Sequence, residues 1–243
     1  ATGQEEMHRD FNPLLPGFLY TPANDCEALK ALVAEHDDIA AIMFELVQGE
    51  GGVMPLERAF VDCMAELAAE KDILLVCDEV QTGNGRTGSL YAWQQYGFTP
   101  DIMSTAKGLG GGLPIGACLF GEKTENTLTP GTHGSTFGGS PAVCAGALSI
   151  LGRIDEALLA QVRAKSEYLF SAFEGRPGIE QVSGLGLMIG IRTAKPAAEV
   201  VAKCMEQGVL VLTAHGKVRL LPALNIPMEL VKKAAEVIIA ACA

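Results

Sequence analysis

The sequence predicts an α/β fold, a mainly parallel sheet followed by a smaller α+β unit, and three observations carry that expectation. The apolar runs Ile39 to Phe44 and Ile73 to Cys77 have strand length and no alternation, and a helical pattern separates them. That is the pattern of parallel strands buried on both faces and joined by a crossover. Fourteen of the 28 glycines gather at 49–52, 83–88, 108–112 and 131–139, nearly always just beyond a strand candidate, where the ligand loops of α/β sheets lie. From about Gly175 the texture changes: Leu185, Leu187, Ile189 and Ile191 alternate with Gly186, Met188 and Gly190, which is strand periodicity.

Each element follows in order. Asn24 and Asp25 are N-cap candidates for a helix in which Leu29, Leu32 and Val33 recur until about His36. The strand Ile39 to Phe44 comes next. After Gly49-Glu50-Gly51-Gly52, Pro55 is placed to open a helix whose apolar face, Leu56, Phe60, Cys63, Met64 and Leu67, runs to about Lys71. Ile73 to Cys77 is the second strand, and Ile102-Met103 and Ala117 to Phe120 add others. Pro141 opens a helical stretch through Leu148 and Leu151 that is kinked or broken near Gly152 on its way to Phe173. A helix through Val200, Val201, Cys204 and Met205 ends at Gly208, Val209 to Leu212 and Val218 to Leu221 are strands, and Met228 to Ala241 is a terminal helix. The expected division is a large domain over 1–153 and a small C-terminal domain over 154–243 that includes part of the linking helix.

Composition narrows the function. Eighteen Lys plus Arg stand against 29 Asp plus Glu, a formal charge of −11, which argues against nucleic acid or an anionic membrane as partner. No apolar run approaches the roughly 20 residues that span a bilayer, and Ala1 to Glu6 has neither a basic nor an apolar leader pattern. The expectation is a cytoplasmic chain. The seven cysteines are dispersed and odd in number, with no CxxC or Cys/His spacing, so they are expected to be buried thiols, with neither a disulfide framework nor a metal site.

The most informative segment is Leu75-Val76-Cys77-Asp78-Glu79-Val80-Gln81, a strand that ends in two carboxylates. Acids in such a place commonly cap a following helix. An NTPase acidic strand would require a GxxxxGK[ST] loop, and the one Gly-Lys pair, Gly216-Lys217, is followed by Val218 and lacks the upstream glycine. A third reading joins the strand to Ser104-Thr105-Ala106-Lys107-Gly108, where a lysine follows an apolar strand and precedes glycines, and to the hydroxyl-rich loop Gly134-Ser135-Thr136-Phe137-Gly138-Gly139. Pyridoxal phosphate needs such a set: a lysine for the Schiff base, an acid to keep the pyridine nitrogen protonated, and donors for the phosphate.

With these motifs stand Glu45-Leu46-Val47-Gln48-Gly49-Glu50-Gly51-Gly52, Gly85-Arg86-Thr87-Gly88, Thr132-His133 and Val218-Arg219-Leu220-Leu221-Pro222. In that order, and over essentially the whole chain, they resemble the class-III, fold-type I, pyridoxal-phosphate-dependent aminotransferases, and most of all their acetylornithine branch. The resemblance implies a fold-type I large domain, incomplete at its N-terminus, with a small C-terminal domain. It implies that Lys107 carries the cofactor and moves the substrate proton, that Asp78 pairs with the pyridinium nitrogen, that Val80 packs on the ring and that Gln81 bonds its phenolic oxygen. Ser135 and Thr136 resemble the loop that reaches the phosphate of a neighbouring subunit, which implies a homodimer with shared sites. Arg219 resembles the arginine that grips a substrate α-carboxylate with a bidentate fork, and Glu50 the glutamate that pairs with that arginine in the carboxylate's absence.

The implied reaction moves an amino group from N-acetylornithine to 2-oxoglutarate in arginine biosynthesis. Ornithine, succinylornithine and 4-aminobutyrate aminotransferases share the same lysine, aspartate and arginine logic and remain alternatives. The chain differs from the family pattern at Leu46, where proline is usual, and no Gly-Thr phosphate cradle or ring-stacking aromatic segment is found in it. It is therefore also readable as an inactive fragment that needs a partner chain.

Overall fold

The computed structural model describes residues 2–243. The first stretch carries a short helix, α1 (Glu5–His8), and leaves Phe11 and Leu15 largely exposed. Helix α2 (Cys26–Glu35) begins where Asp25 Oδ1 accepts the Ala28 N–H at 2.9 Å, which satisfies one of the free donors of the first turn.

Strands β1 (Ala41–Phe44), β4 (Leu74–Asp78), β5 (Ile102–Thr105) and β6 (Ala117–Phe120) form one sheet in the order β1-β4-β5-β6. The pairs β1/β4 and β4/β5 are parallel and β5/β6 is antiparallel, so the sheet is mainly parallel, as expected. Helix α3 (Arg58–Lys71) makes the crossover and packs with α2 on one face, where Leu29, Val33, Phe60, Met64, Leu67, Leu75 and Cys77 are buried together. Burial on both faces was expected, and here the structure differs. Burial alternates along β1 and β4, and Met43 on the opposite face is exposed, because among the described residues helices cover one face only.

Two further expectations need correction in this half. Pro55 does not open a helix. It lies in β3 (Met54–Pro55), paired with β2 (Val47–Gln48), and the Leu56 N–H is held at 2.8 Å by the Leu46 carbonyl, so the chain stays extended until α3. The cysteines are not all buried thiols either. Cys26 and Cys63 are joined in a disulfide between α2 and α3, their Cα atoms 6.3 Å apart, and Cys118 is exposed. The 37-residue separation hides a proximity that only the packing of the two helices creates.

Helices α4 (Pro141–Leu151) and α5 (Glu156–Phe173) are separate, and Asp155 caps the second through Leu158 N at 2.8 Å. Next comes an antiparallel sheet of order β7-β8-β10-β9, made of β7 (Ile179–Leu185), β8 (Met188–Thr193), β9 (Leu212–Ala214) and β10 (Lys217–Leu220). The alternation read as a single strand is a hairpin, since Gly186 at φ +62° turns the chain and Leu185 pairs with Met188. A period of two runs through a tight turn unbroken, and this conceals it from a pattern search. Strand β9 starts later than expected because Val209 N is tied to Cys204 O at 2.9 Å, at the end of helix α6 (Ala197–Glu206).

Helices α5, α6 and α7 (Met228–Cys242) cover one face of this sheet. Val162, Phe173, Ile189, Ile191, Val200, Val218, Leu220 and Ile238 make its core. Alternation then sends Met188, Gly190, Lys217 and Arg219 to the other face, which meets the loop between β2 and β3. Among the described residues, no helix is long and apolar enough to cross a membrane.

Candidate active site

Three adjacent strands, β1, β4 and β5, run parallel, so their carboxyl ends open on one edge of the sheet. Beyond β1 come Glu45 and Glu50, at the end of β4 lie Asp78 to Gln81, and beyond β5 comes Lys107. Ligand crevices in open α/β sheets lie at this edge.

The two carboxylates of β4 do different things. Glu79 is fully buried and structural: its Oε2 accepts from Thr82 Oγ1 at 2.6 Å and its Oε1 from Trp93 N at 2.8 Å, while burial pushes its carboxyl above the usual range. Asp78 is half-buried, and both of its hydrogen bonds, from Val80 N at 2.9 Å and Ser104 Oγ at 3.0 Å, fall on Oδ1. Among the described residues Oδ2 has no protein donor.

Lys107 is exposed, sits at φ +49° and lines a cavity of about 540 Å³ with Val80, Gln81, Asn84 and Arg86 on one side and Leu221 and Leu224 on the other. A lysine in the left-handed region is strained unless its neighbours hold it. Asn84 supplies the hold: it is buried, and its Nδ2 donates to Thr105 Oγ1 and to Ala106 O, both at 3.1 Å. Asn84 itself stands at φ +56°, a conformation that Asn tolerates better than most residues. Its signal in the sequence was the Gly83-Asn84-Gly85 turn, and the sequence reading passed over it.

Arg219, on β10, donates from Nη1 to Glu50 Oε1 at 2.6 Å. This hydrogen bond, above all, holds the Glu50 carboxyl below the usual range, with smaller help from the Gln81 amide and the Lys107 charge. Glu45 moves the other way: burial raises its pKa against the Gly49 N–H it accepts, and the Asp78 charge adds to the rise. Within the loop that bears Glu50, a Cβ on Gly49 would fall on the Gln81 side chain.

Arg86 holds the two halves together. Its Nη1 donates to Leu187 O at 3.2 Å and to Pro222 O, its own carbonyl accepts Leu187 N at 2.9 Å, and burial brings its guanidinium pKa down to about 10.

The structure thus brings Lys107, Val80 and Gln81 to one cavity and Glu50 with Arg219 to one ion pair, with Asp78 at the strand end between Glu45 and Ser104. Ser135 and Thr136 stand apart: both are exposed, neither lines the cavity, and Ser135 Oγ accepts only Gly138 N, at 2.9 Å. Pyridoxal phosphate fits the ring-facing part of this arrangement. Asp78 Oδ2 is available to a protonated ring nitrogen, the Gln81 side chain has a buried Oε1 without a partner among the described residues, and an exposed lysine borders the cavity. The phosphate donors are not gathered at that cavity within the one chain.

Comparison with known proteins gives the family. The family described as aminotransferase class-III matches residues 1–242. An acetylornithine aminotransferase of Haemophilus ducreyi is 46% identical over 240 residues, which are 98% of this chain and 61% of that protein. Among solved structures, ornithine aminotransferase of Toxoplasma gondii, described with pyridoxal phosphate at partial occupancy in its active site, superposes with a TM-score of 0.91 at 32% identity over 98% of this chain and 58% of its own. N-acetylornithine aminotransferase of Stenotrophomonas maltophilia superposes with a TM-score of 0.83 at 37% identity, over 92% and 61% respectively. The chain spans about three fifths of the length of each of these relatives.

Proposed function

The chain belongs to the class-III aminotransferases, and from that premise we propose that it carries the lysine, aspartate and arginine of a pyridoxal-phosphate site that moves an amino group from N-acetylornithine to 2-oxoglutarate, a step of arginine biosynthesis. The observation that carries this reading is the buried Arg219 guanidinium, with Nη1 on Glu50, a carboxylate that the Lys107 charge also reaches, and with Nε without a partner among the described residues. Such a group is prepared for a second carboxylate, because an arginine fork takes two oxygens in parallel.

When bound, the cofactor supplies an electron sink for charge that develops at the substrate Cα. Asp78 Oδ2 holds the proton on the ring nitrogen. Lys107, at the exposed rim of the cavity, would carry the cofactor and move the proton at the substrate Cα. Val80 packs against the ring and Gln81 holds its phenolic oxygen. Glu50 occupies Arg219 when the amino donor presents its distal amine, and leaves it when an α-carboxylate arrives, so one cavity reads two substrate shapes. Ser135 and Thr136, exposed and away from the cavity, serve the phosphate held by a second copy, which makes the working unit a homodimer. The division into 1–153 and 154–243 follows the same reading, with the cavity between the two parts.

The likeness to Toxoplasma gondii ornithine aminotransferase supports a second reading, with ornithine as donor to the same residues. Incubation with pyridoxal phosphate, borohydride reduction and peptide mapping test the site. Label confined to Lys107, and lost in Lys107→Ala, supports it; scattered label or none overturns it for this chain and favours the partner-requiring alternative. A panel of N-acetylornithine, succinylornithine, ornithine and 4-aminobutyrate then ranks the donors.

A further inference from the structure

Ser183 on β7, Gly190 on β8 and Arg219 on β10 stand in one row across the small sheet, since Gly190 pairs with both. Lys217 is two residues from Arg219 on the same strand and therefore points to the same side of the sheet. Val53 sits on this row, and a Cβ on Gly190 would lie 2.8 Å from the Val53 Cβ. Val53 is fully buried at φ +52°, a conformation that a β-branched residue adopts only when held from outside. Ser183 Oγ donates to Val53 O at 2.8 Å and accepts from Lys217 Nζ at 2.9 Å. Lys217 is buried, and among the described residues no carboxylate pairs with it. Burial, with the Arg192 charge, draws its amine below the ordinary range.

Two cations of one strand thus grip one loop, Arg219 at Glu50 directly and Lys217 at Val53 through Ser183. We propose that Lys217, through Ser183, is a positioning residue that tethers the Glu50 loop to the small sheet and so favours the Glu50–Arg219 pair against a substrate carboxylate that would displace Glu50. This rests on the substrate reading above, in which Glu50 competes with that carboxylate. The tether strengthens the competitor.

The test has two readouts. The first needs no ligand: amide exchange of the 49–55 segment, followed by mass spectrometry, is expected to quicken about three- to tenfold in Lys217→Met and Ser183→Ala, as loss of one hydrogen bond predicts. Ser183→Thr, which keeps the hydroxyl, is expected to match the wild type. The second is calorimetric titration with 2-oxoglutarate, which is expected to bind a few-fold more tightly to Lys217→Met than to the wild type. In a Glu50→Gln background the same substitution is expected to change nothing, whereas general damage to the fold would weaken binding in both backgrounds. Unchanged exchange in Lys217→Met and Ser183→Ala overturns the tether, and so does an affinity gain that persists in Glu50→Gln. Wild-type binding of 2-oxoglutarate that survives Arg219→Lys undiminished overturns the substrate reading instead, and leaves the exchange result to judge the tether.

Discussion

Glu50 and Arg219 lie 169 residues apart and meet through a 2.6 Å hydrogen bond, one from a loop of the parallel-sheet half and one from a strand of the antiparallel half. The pair is asymmetric: the arginine side chain is 9% exposed and the glutamate side chain 53%. Loss of the glutamate leaves a buried cation without its counter-charge, whereas loss of the arginine leaves an acid that water can solvate.

That asymmetry sets an acid dependence. Glu50 titrates below its ordinary value of 4.5 because Arg219 bonds it. Its contribution to stability is therefore complete above that value and is lost as the pH falls through the lowered folded one. Since half of the side chain is in water, the contribution amounts to about 1 kcal/mol or less. Urea denaturation of the wild type and of Glu50→Gln is expected to differ by that much at pH 7, and the gap is expected to narrow as the pH is taken down below 4.5. A gap that does not narrow in acid would contradict the assignment.

Removal of the guanidinium that ties Leu187 and Pro222 to the 83–88 loop has a larger effect. Arg86→Ala leaves the Leu187 and Pro222 carbonyls without this donor, and an unsatisfied buried acceptor costs about 1–3 kcal/mol. The expected loss of stability is about 2–4 kcal/mol, read from the same denaturation curves.

Asn84 is expected to act on Lys107 through the backbone it holds. Asn84→Gly keeps the left-handed backbone and removes the bonds to Thr105 and Ala106, which isolates the hydrogen bonds from the conformational requirement. Exchange of the 106–110 amides is expected to accelerate about tenfold, as loss of one to two hydrogen bonds implies, with little change at the edge of the antiparallel sheet.

Thiol counting checks the Cys26–Cys63 link. Five cysteines are free, so a denatured, unreduced sample is expected to titrate five thiols and a reduced one seven. Reduction is expected to lower the stability of the α2/α3 layer by about 2–4 kcal/mol, the typical effect of such a cross-link.

What the sequence made legible follows from periodicity and chain order. Parallel strands ending in Asp78 and near Lys107, the face of α3 and the terminal helix all announce themselves in a single stretch of residues. Contacts between distant stretches do not. Nothing near Cys26 points to Cys63, nothing near Arg86 points to Pro222, and Lys217 resembled one half of a failed phosphate-loop motif until the fold laid it beside Ser183. The exception is Glu50 with Arg219, whose pairing came from resemblance to a family and not from the residues alone.

The Arg86 contacts also set a schedule for synthesis. The buried members of the first core lie between Leu29 and Ala92, so they are synthesised before β5, β6 and the antiparallel sheet. Arg86's acceptors follow 101 and 136 residues later. At about 5–20 residues per second, a ribosome delivers them roughly 5–25 s after the arginine. During that interval a side chain destined for burial remains in water, and the wall that Leu221 and Leu224 give the cavity does not yet exist. The nascent chain therefore has the residues of its first core well before it has those of the pocket.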